Sequence, residues 1–164
     1  MRTPPAVALI GPAGSGKTTI GQRLAPALRV PFVDADDFHP PANRQRMAAG
    51  LPLDDAARWP WLDAVREHLA GLRASGFVLA CSALRQSHRQ RLAAGLPPFA
   101  WIALRVRREE LVRRLADRAH FFAPSLLDDQ LATWEPPTPG PAIDGEQAPE
   151  SVVAAILAAL AAPG

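Results

Sequence analysis

A single lysine stands among the 18 Lys and Arg residues of this chain, and every other one is arginine. Lys17 lies in Gly11-Pro12-Ala13-Gly14-Ser15-Gly16-Lys17-Thr18, which fits G-x-x-x-x-G-K-S/T, a phosphate-binding loop. The chemistry of such a loop is electrostatic. Glycines let successive backbone N–H groups converge on phosphate oxygens, and a helix starting at the loop adds the positive end of its dipole. A compact ammonium fits along a polyphosphate where the broad planar fork of arginine does not substitute freely. The pattern predicts nucleotide contacts from Gly11, Pro12, Ala13, Gly14, Ser15, Gly16, Lys17, Thr18 and Thr19. Lys17 would reach the β- and γ-phosphates, and the Thr18 hydroxyl would ligate Mg²⁺.

Acids follow. Asp34-Ala35-Asp36-Asp37 closes a short apolar run, with His39 just beyond. A carboxylate beside a phosphate site can accept the proton of an attacking hydroxyl, or act on Mg²⁺ through its waters. Asp36 is expected in the first role and Asp34 in the second; the alternative is that both only cap the following helix. His39 either contacts substrate or holds the turn before Pro40. Arg58 and Arg85 could grip a substrate carboxylate through bidentate forks, or form surface ion pairs. Trp59 and Trp61 read as packing residues. Cys81, the one cysteine, reads as a buried strand end, which excludes an internal disulfide and fits a reducing compartment. No His/Cys cluster has metal-ligand spacing.

The elements that must position these groups alternate between strand and helix. Apolar runs predict strands at Ala6–Ile10, Val30–Val33, Phe77–Cys81 and Phe99–Leu104, with a weak fifth at Ala142–Asp144. Helical spacing predicts helices over Thr18–Leu28, from Pro40-Pro41 to Ala49, then Ala57–Ala74, Gln86–Ala94, Arg107–Arg118, Pro124–Trp134 and Ala148–Ala161. Alternation of this kind implies a mostly parallel sheet covered on both faces, with ligands outside the carboxyl ends of the strands. The phosphate loop follows the first strand, the acids the second, and Ser82 and Arg85 the third, so they can share one crevice.

Composition narrows the class. A chain of 164 residues with 48% hydrophobic content forms one domain with a sizeable core, and a net charge of +2 gives no argument for nucleic acid. No signal-peptide pattern and no apolar span near 20 residues occur, so a cytoplasmic, membrane-free protein is expected. A guanine-reading N-K-x-D element is impossible with one lysine, and the third strand ends in Cys81-Ser82 instead of the acid of a Walker B element.

Several ordered blocks resemble the gluconokinase family. They are Asp34-Ala35-Asp36-Asp37-Phe38-His39-Pro40, then Asn43, Met47, Gly50, Pro52-Leu53, Asp55, Arg58 and Pro60-Trp61-Leu62. Cys81-Ser82-Ala83-Leu84-Arg85, His120-Phe121-Phe122, Leu126-Leu127, Gln130 and Glu135-Pro136 continue the match over nearly the whole chain. Arg46 and Arg85 stand where the family has lysine, Ala57 where it has an acid, and Asp129 where it has serine. The resemblance implies a P-loop nucleoside-kinase-like three-layer α/β fold with a five-stranded sheet and a small helical lid over roughly 118–134. It implies ATP and Mg²⁺ as cofactors, and gluconate as the phosphoryl acceptor in carbohydrate metabolism. It implies lid arginines Arg114 and Arg118 with His120, of which Arg118 would neutralise charge on the transferring phosphate, and a homodimer. The readings that compete are a shikimate-kinase-like or other small-metabolite kinase, and a silent nucleotide-binding module. Lys17→Ala is expected to abolish turnover, measured as acceptor-dependent ADP release; an active variant would refute the phosphate role of Lys17.

Overall fold

The computed structural model describes residues 4–117, 123–138 and 140–162. Among them, five strands form one fully parallel sheet: β1 (Ala6–Ile10), β2 (Phe32–Asp34), β3 (Phe77–Cys81), β4 (Ala100–Arg105) and β5 (Ala142–Asp144), in the order β2-β3-β1-β4-β5. β1 and β3 are apolar at every position, so they can be buried on both faces, as the centre of a parallel sheet requires. The register Ile10↔Cys81 and Asp34↔Ala80 brings the carboxyl ends of β1, β2 and β3 to one edge.

Period-two alternation divides the core. Ala8, Ile10, Leu79, Cys81 and Ala103 face α3 (Asp55–Gly71) and α4 (Gln86–Ala93), meeting Trp61, Leu62, Val65, Leu69 and Leu92. Val7, Leu9, Val78, Ile102 and Leu104 face α1 (Lys17–Leu28) and α7 (Pro149–Ala161), meeting Ile20, Leu24, Val152 and Ile156. The result is three layers.

Boundaries follow local chemistry. α2 (Pro41–Ala48) and α7 each begin with proline at the first turn, where a missing N–H costs nothing. α3 starts at Asp55, two residues before the expected Ala57, because the Asp54 carboxylate accepts the Ala57 N–H at 2.8 Å as an N-cap. β2 starts later than expected; Pro31 has no N–H and offers β3 only its carbonyl, which accepts from Val78 N at 2.9 Å. The acids themselves form a 3-10 turn, Ala35–Phe38, that the periodicity did not reveal. The helix expected over Pro124–Trp134 divides into a 3-10 turn, Pro124–Leu126, and α6 (Leu127–Thr133).

α6 and the turn before it lie across two other elements. Ala123 N–H donates to Met47 O of α2 at 3.2 Å, and Leu126 packs with Met47 and Leu53. Leu127 is buried against Leu111 and Leu115 of α5 (Arg108–Ala116).

A buried arginine joins the segment after α6 to the end of β3. Arg89 donates to Ala83 O at 2.8 Å, Leu84 O at 3.3 Å and Glu135 O at 2.8 Å. Glu135 returns the contact: its N–H donates to Leu84 O, and its carboxylate accepts Gln86 N–H at the start of α4. This network holds Ala83 at φ 34°, an unusual conformation for a residue with a Cβ. Arg89→Met is expected to destabilise the fold by about 2–4 kcal/mol, since it orphans carbonyls that accept from a charged donor. Urea unfolding of the variant against the parent measures this, and a change under about 0.5 kcal/mol would place the network outside the cooperative fold.

Candidate active site

The loop between β1 and α1 is shaped by its glycines. Gly14 and Gly16 have φ of 84° and 96°, left-handed values that place consecutive amides toward one point. A Cβ at Gly14 would also lie 3.2 Å from Leu115 Cγ, a tight approach that the leucine side chain would have to yield to. The Lys17 ammonium donates to Gly11 O and Pro12 O, each at 2.9 Å, so it lies along the inner face of the loop. Thr19 continues the first turn of α1.

The loop is tied directly to the acids at the tip of β2. The Thr18 hydroxyl donates to Asp34 Oδ2 at 2.8 Å, and Asp34 Oδ1 accepts the Asp36 N–H at 3.0 Å. Asp34 therefore does cap the 3-10 turn, and it faces the phosphate loop at the same time. Among the described residues, no group of three or more His, Cys, Asp or Glu side chains could hold a metal. Thr18 and Asp34 present hard oxygen donors of the kind Mg²⁺ prefers.

Asp36 and His39 sit at the end of this turn. The Asp36 carboxylate is 42% exposed and lies 3.8 Å from His39 Nε2. Arg44 holds the turn by donating to Asp36 O at 2.6 Å, and Trp61 Nε1 donates to Ala35 O at 2.7 Å. The Trp61 ring stacks on the His39 ring, with centroids 4.1 Å apart. Asn43 Nδ2 donates to Ala57 O at 3.0 Å, which sets the orientation of its amide, and the same nitrogen lies 3.3 Å from His39 Nδ1. Nδ1 is thereby the acceptor, so the ring proton is on Nε2, facing Asp36. Burial, then the charges of Arg44 and Arg58, push His39 down to about 4. Cys81 lies behind the site, its thiol pushed up to about 12 by burial and then by Asp36, which leaves it unreactive at neutral pH.

Beside this pair is a small cavity of about 30 Å³, lined among others by His39, Arg58, Trp61, Ser82 and Gln130. It adjoins an open cavity of about 410 Å³ bearing Arg46, Arg58, Arg85, Asp54, Asp55 and Asp129. Arg58 belongs to both. Among the described residues its guanidinium has no ion-pair partner, and desolvation is the first influence on it, lowering its pKa. A half-buried fork of this kind suits a planar anion. Arg85 lines only the outer cavity.

The family description "AAA domain" matches residues 7–137. A gluconokinase of Gluconobacter oxydans is 39% identical over 157 residues, covering 91% of this chain and 87% of that protein. The thermoresistant gluconokinase of Escherichia coli is 34% identical over 156 residues, covering 91% and 89%. The chain belongs to the gluconokinase family. The solved gluconokinase of Sinorhizobium meliloti superposes with a TM-score of 0.86 at 38% identity, covering 98% of this chain and 94% of that one. A shikimate kinase from Aquifex aeolicus, at TM-score 0.60 and 18% identity, shares the fold alone. The expected P-loop kinase-like fold is thus the observed one.

Within this gluconokinase-family chain, the structure brings Lys17, Thr18, Asp34, Asp36 and His39 together, with Arg58 on the adjoining cavity. Arg114, expected on a lid, lies in α5 and donates to Gly14 O at 3.3 Å, Gly145 O at 2.9 Å and Glu110 Oε1 at 2.8 Å. It holds the outside of the phosphate loop. Arg118 and His120 lie outside the described residues. Asn43 and Trp61 set the tautomer and plane of His39, and neither was read as a site residue. Their helical spacing from His39 and from the core offered only a packing signal. The family resemblance includes Gln130 but implies no role for it, and the structure places it on the phosphate loop. The folded-state pKa of His39 lies below its ordinary 6.5, so its contribution to stability is complete above that pH and is lost as pH falls toward 4. Denaturation across this window is expected to show falling stability, with a shallower slope in His39→Gln; an unchanged slope would assign the acid lability to other groups.

Proposed function

We propose that this protein transfers the γ-phosphoryl group of ATP to the primary hydroxyl of D-gluconate, releasing ADP and 6-phosphogluconate. The observation that carries this reading is the 2.8 Å hydrogen bond from Thr18 to Asp34, which joins a phosphate-binding loop to an acid turn flanked by an arginine-bearing cavity. Family membership supports the acceptor.

In this reading the amides of Gly14 to Thr18 and the Lys17 ammonium bind the triphosphate. Thr18, with Asp34 directly or through water, would hold Mg²⁺, which when bound offsets charge on the phosphate oxygens. Arg58 and Arg85 take the gluconate carboxylate, leaving the far hydroxyl near Asp36. The hydroxyl oxygen forms its bond to phosphorus as the bond to the ADP oxygen breaks, and the hydroxyl proton passes to the Asp36 carboxylate. The neutral His39, with its proton on Nε2, faces that carboxylate from 3.8 Å. Segment 118–134 serves as the lid, with Arg118 supplying positive charge to the transferring group.

ADP release measured against a panel of sugar acids and shikimate tests the assignment, with turnover expected for gluconate. Asp36→Asn is expected to lower kcat by about 10²–10⁴-fold with KM for ATP nearly unchanged. A change confined to KM would assign Asp36 to binding only, and turnover of shikimate in place of gluconate would overturn the acceptor.

A further inference from the structure

The Gln130 side chain of α6 touches the phosphate loop. Its Oε1 accepts the Ala13 N–H at 2.8 Å, across 117 residues of sequence. Ala13 lies between Pro12, whose carbonyl accepts from Lys17, and Gly14, whose carbonyl accepts from Arg114. The same Gln130 side chain lines the small cavity that holds His39, Arg58 and Trp61.

Its placement is well determined by packing. Leu126, at the end of the 3-10 turn, and Leu127, at the start of α6, are buried in two different clusters, one on α2 and one on α5. With Oε1 committed to Ala13, the amide nitrogen is the remaining hydrogen-bonding group. Among the described residues it donates to no protein atom, and it is not sealed from solvent. A primary amide carries two N–H donors and so offers hydrogen bonds that a hydroxyl or carboxylate oxygen accepts.

We propose that Gln130 is an acceptor-binding residue that links the two halves of the site: Oε1 holds the phosphate loop through Ala13, and Nε2, in the small cavity it lines, donates to an oxygen of the polyhydroxy acid that reaches in from the open cavity beside it. Occupying the cavity would then favour the docked position of α6, and docking would steady the loop amide beside the nucleotide. The two ligands thereby promote each other's binding, by the same factor in each direction. This rests on the acceptor reading given above.

Two variants separate the contacts. Gln130→Glu keeps an oxygen for Ala13 N–H but removes the donor, and Gln130→Leu removes both. Gln130→Glu is expected to raise KM for gluconate at least tenfold, while the dissociation constant of the β,γ-imido analogue of ATP measured without gluconate stays within twofold. Gln130→Leu is expected to raise KM for gluconate similarly and to abolish coupling. Coupling is read by calorimetry as the ratio of gluconate dissociation constants without and with the β,γ-imido analogue of ATP. That ratio is expected to be at least fivefold for the parent and under twofold for Gln130→Leu. Circular dichroism checks that both variants fold; should Gln130→Leu not fold, Gln130→Glu carries the test alone. A KM for gluconate within twofold of the parent in Gln130→Glu overturns the proposal, as does a parent with no coupling. A parent that turns over gluconate while Gln130→Glu is unaffected defeats the role of Gln130 only; a parent inactive on gluconate defeats the acceptor reading and this proposal together.

Discussion

The bond between Thr18 and Asp34 is the constraint on which the site depends. β1 and β2 are not neighbours, because β3 lies between them, so their tips are about 10 Å apart at the usual strand spacing. The first turn of α1 and one carboxylate bridge that gap. Asp34 then uses its second oxygen to accept the Asp36 amide, which winds the 3-10 turn and sets where Asp36 and His39 stand. Trp61 anchors the same turn from the core through Ala35 O. Removing the Asp34 side chain would release both ends at once.

Arginine is the main tool for holding these loops. Arg44, Arg89 and Arg114 each donate to backbone carbonyls at the rim of the site, where no regular ladder can satisfy them. The five donors of a guanidinium allow one side chain to join two or three segments. Arg58 differs, since it is partly desolvated and has no ion-pair partner among the described residues. The single lysine stands where a point charge, free to pivot, suits a loop of converging carbonyls and amides.

Much of this was legible in the chain because burial on both faces leaves a plain signature. The runs Ala6–Ile10 and Phe77–Cys81 mark β1 and β3 to the residue. The phosphate loop was legible for a different reason: its glycines and Lys17 are consecutive, so local geometry alone dictates their arrangement. Short elements that rely on one distant hydrogen bond left no such trace. The 3-10 turn of the acids is anchored by Trp61 from α3, and the turn before α6 by Met47 of α2.

Periodicity and motif were sufficient for the sheet, the phosphate loop and the acids at a neighbouring strand end, since each is encoded by residues close together. Which proton His39 carries, which carbonyls the arginines hold, and which amide Gln130 accepts depended on the packed tertiary structure. Those contacts join residues up to 117 positions apart, as Ala13 and Gln130 are, and their geometry follows from helices docking on a sheet. No spacing rule reaches that far, because the relative placement of two packed elements is set by the shape of the core between them.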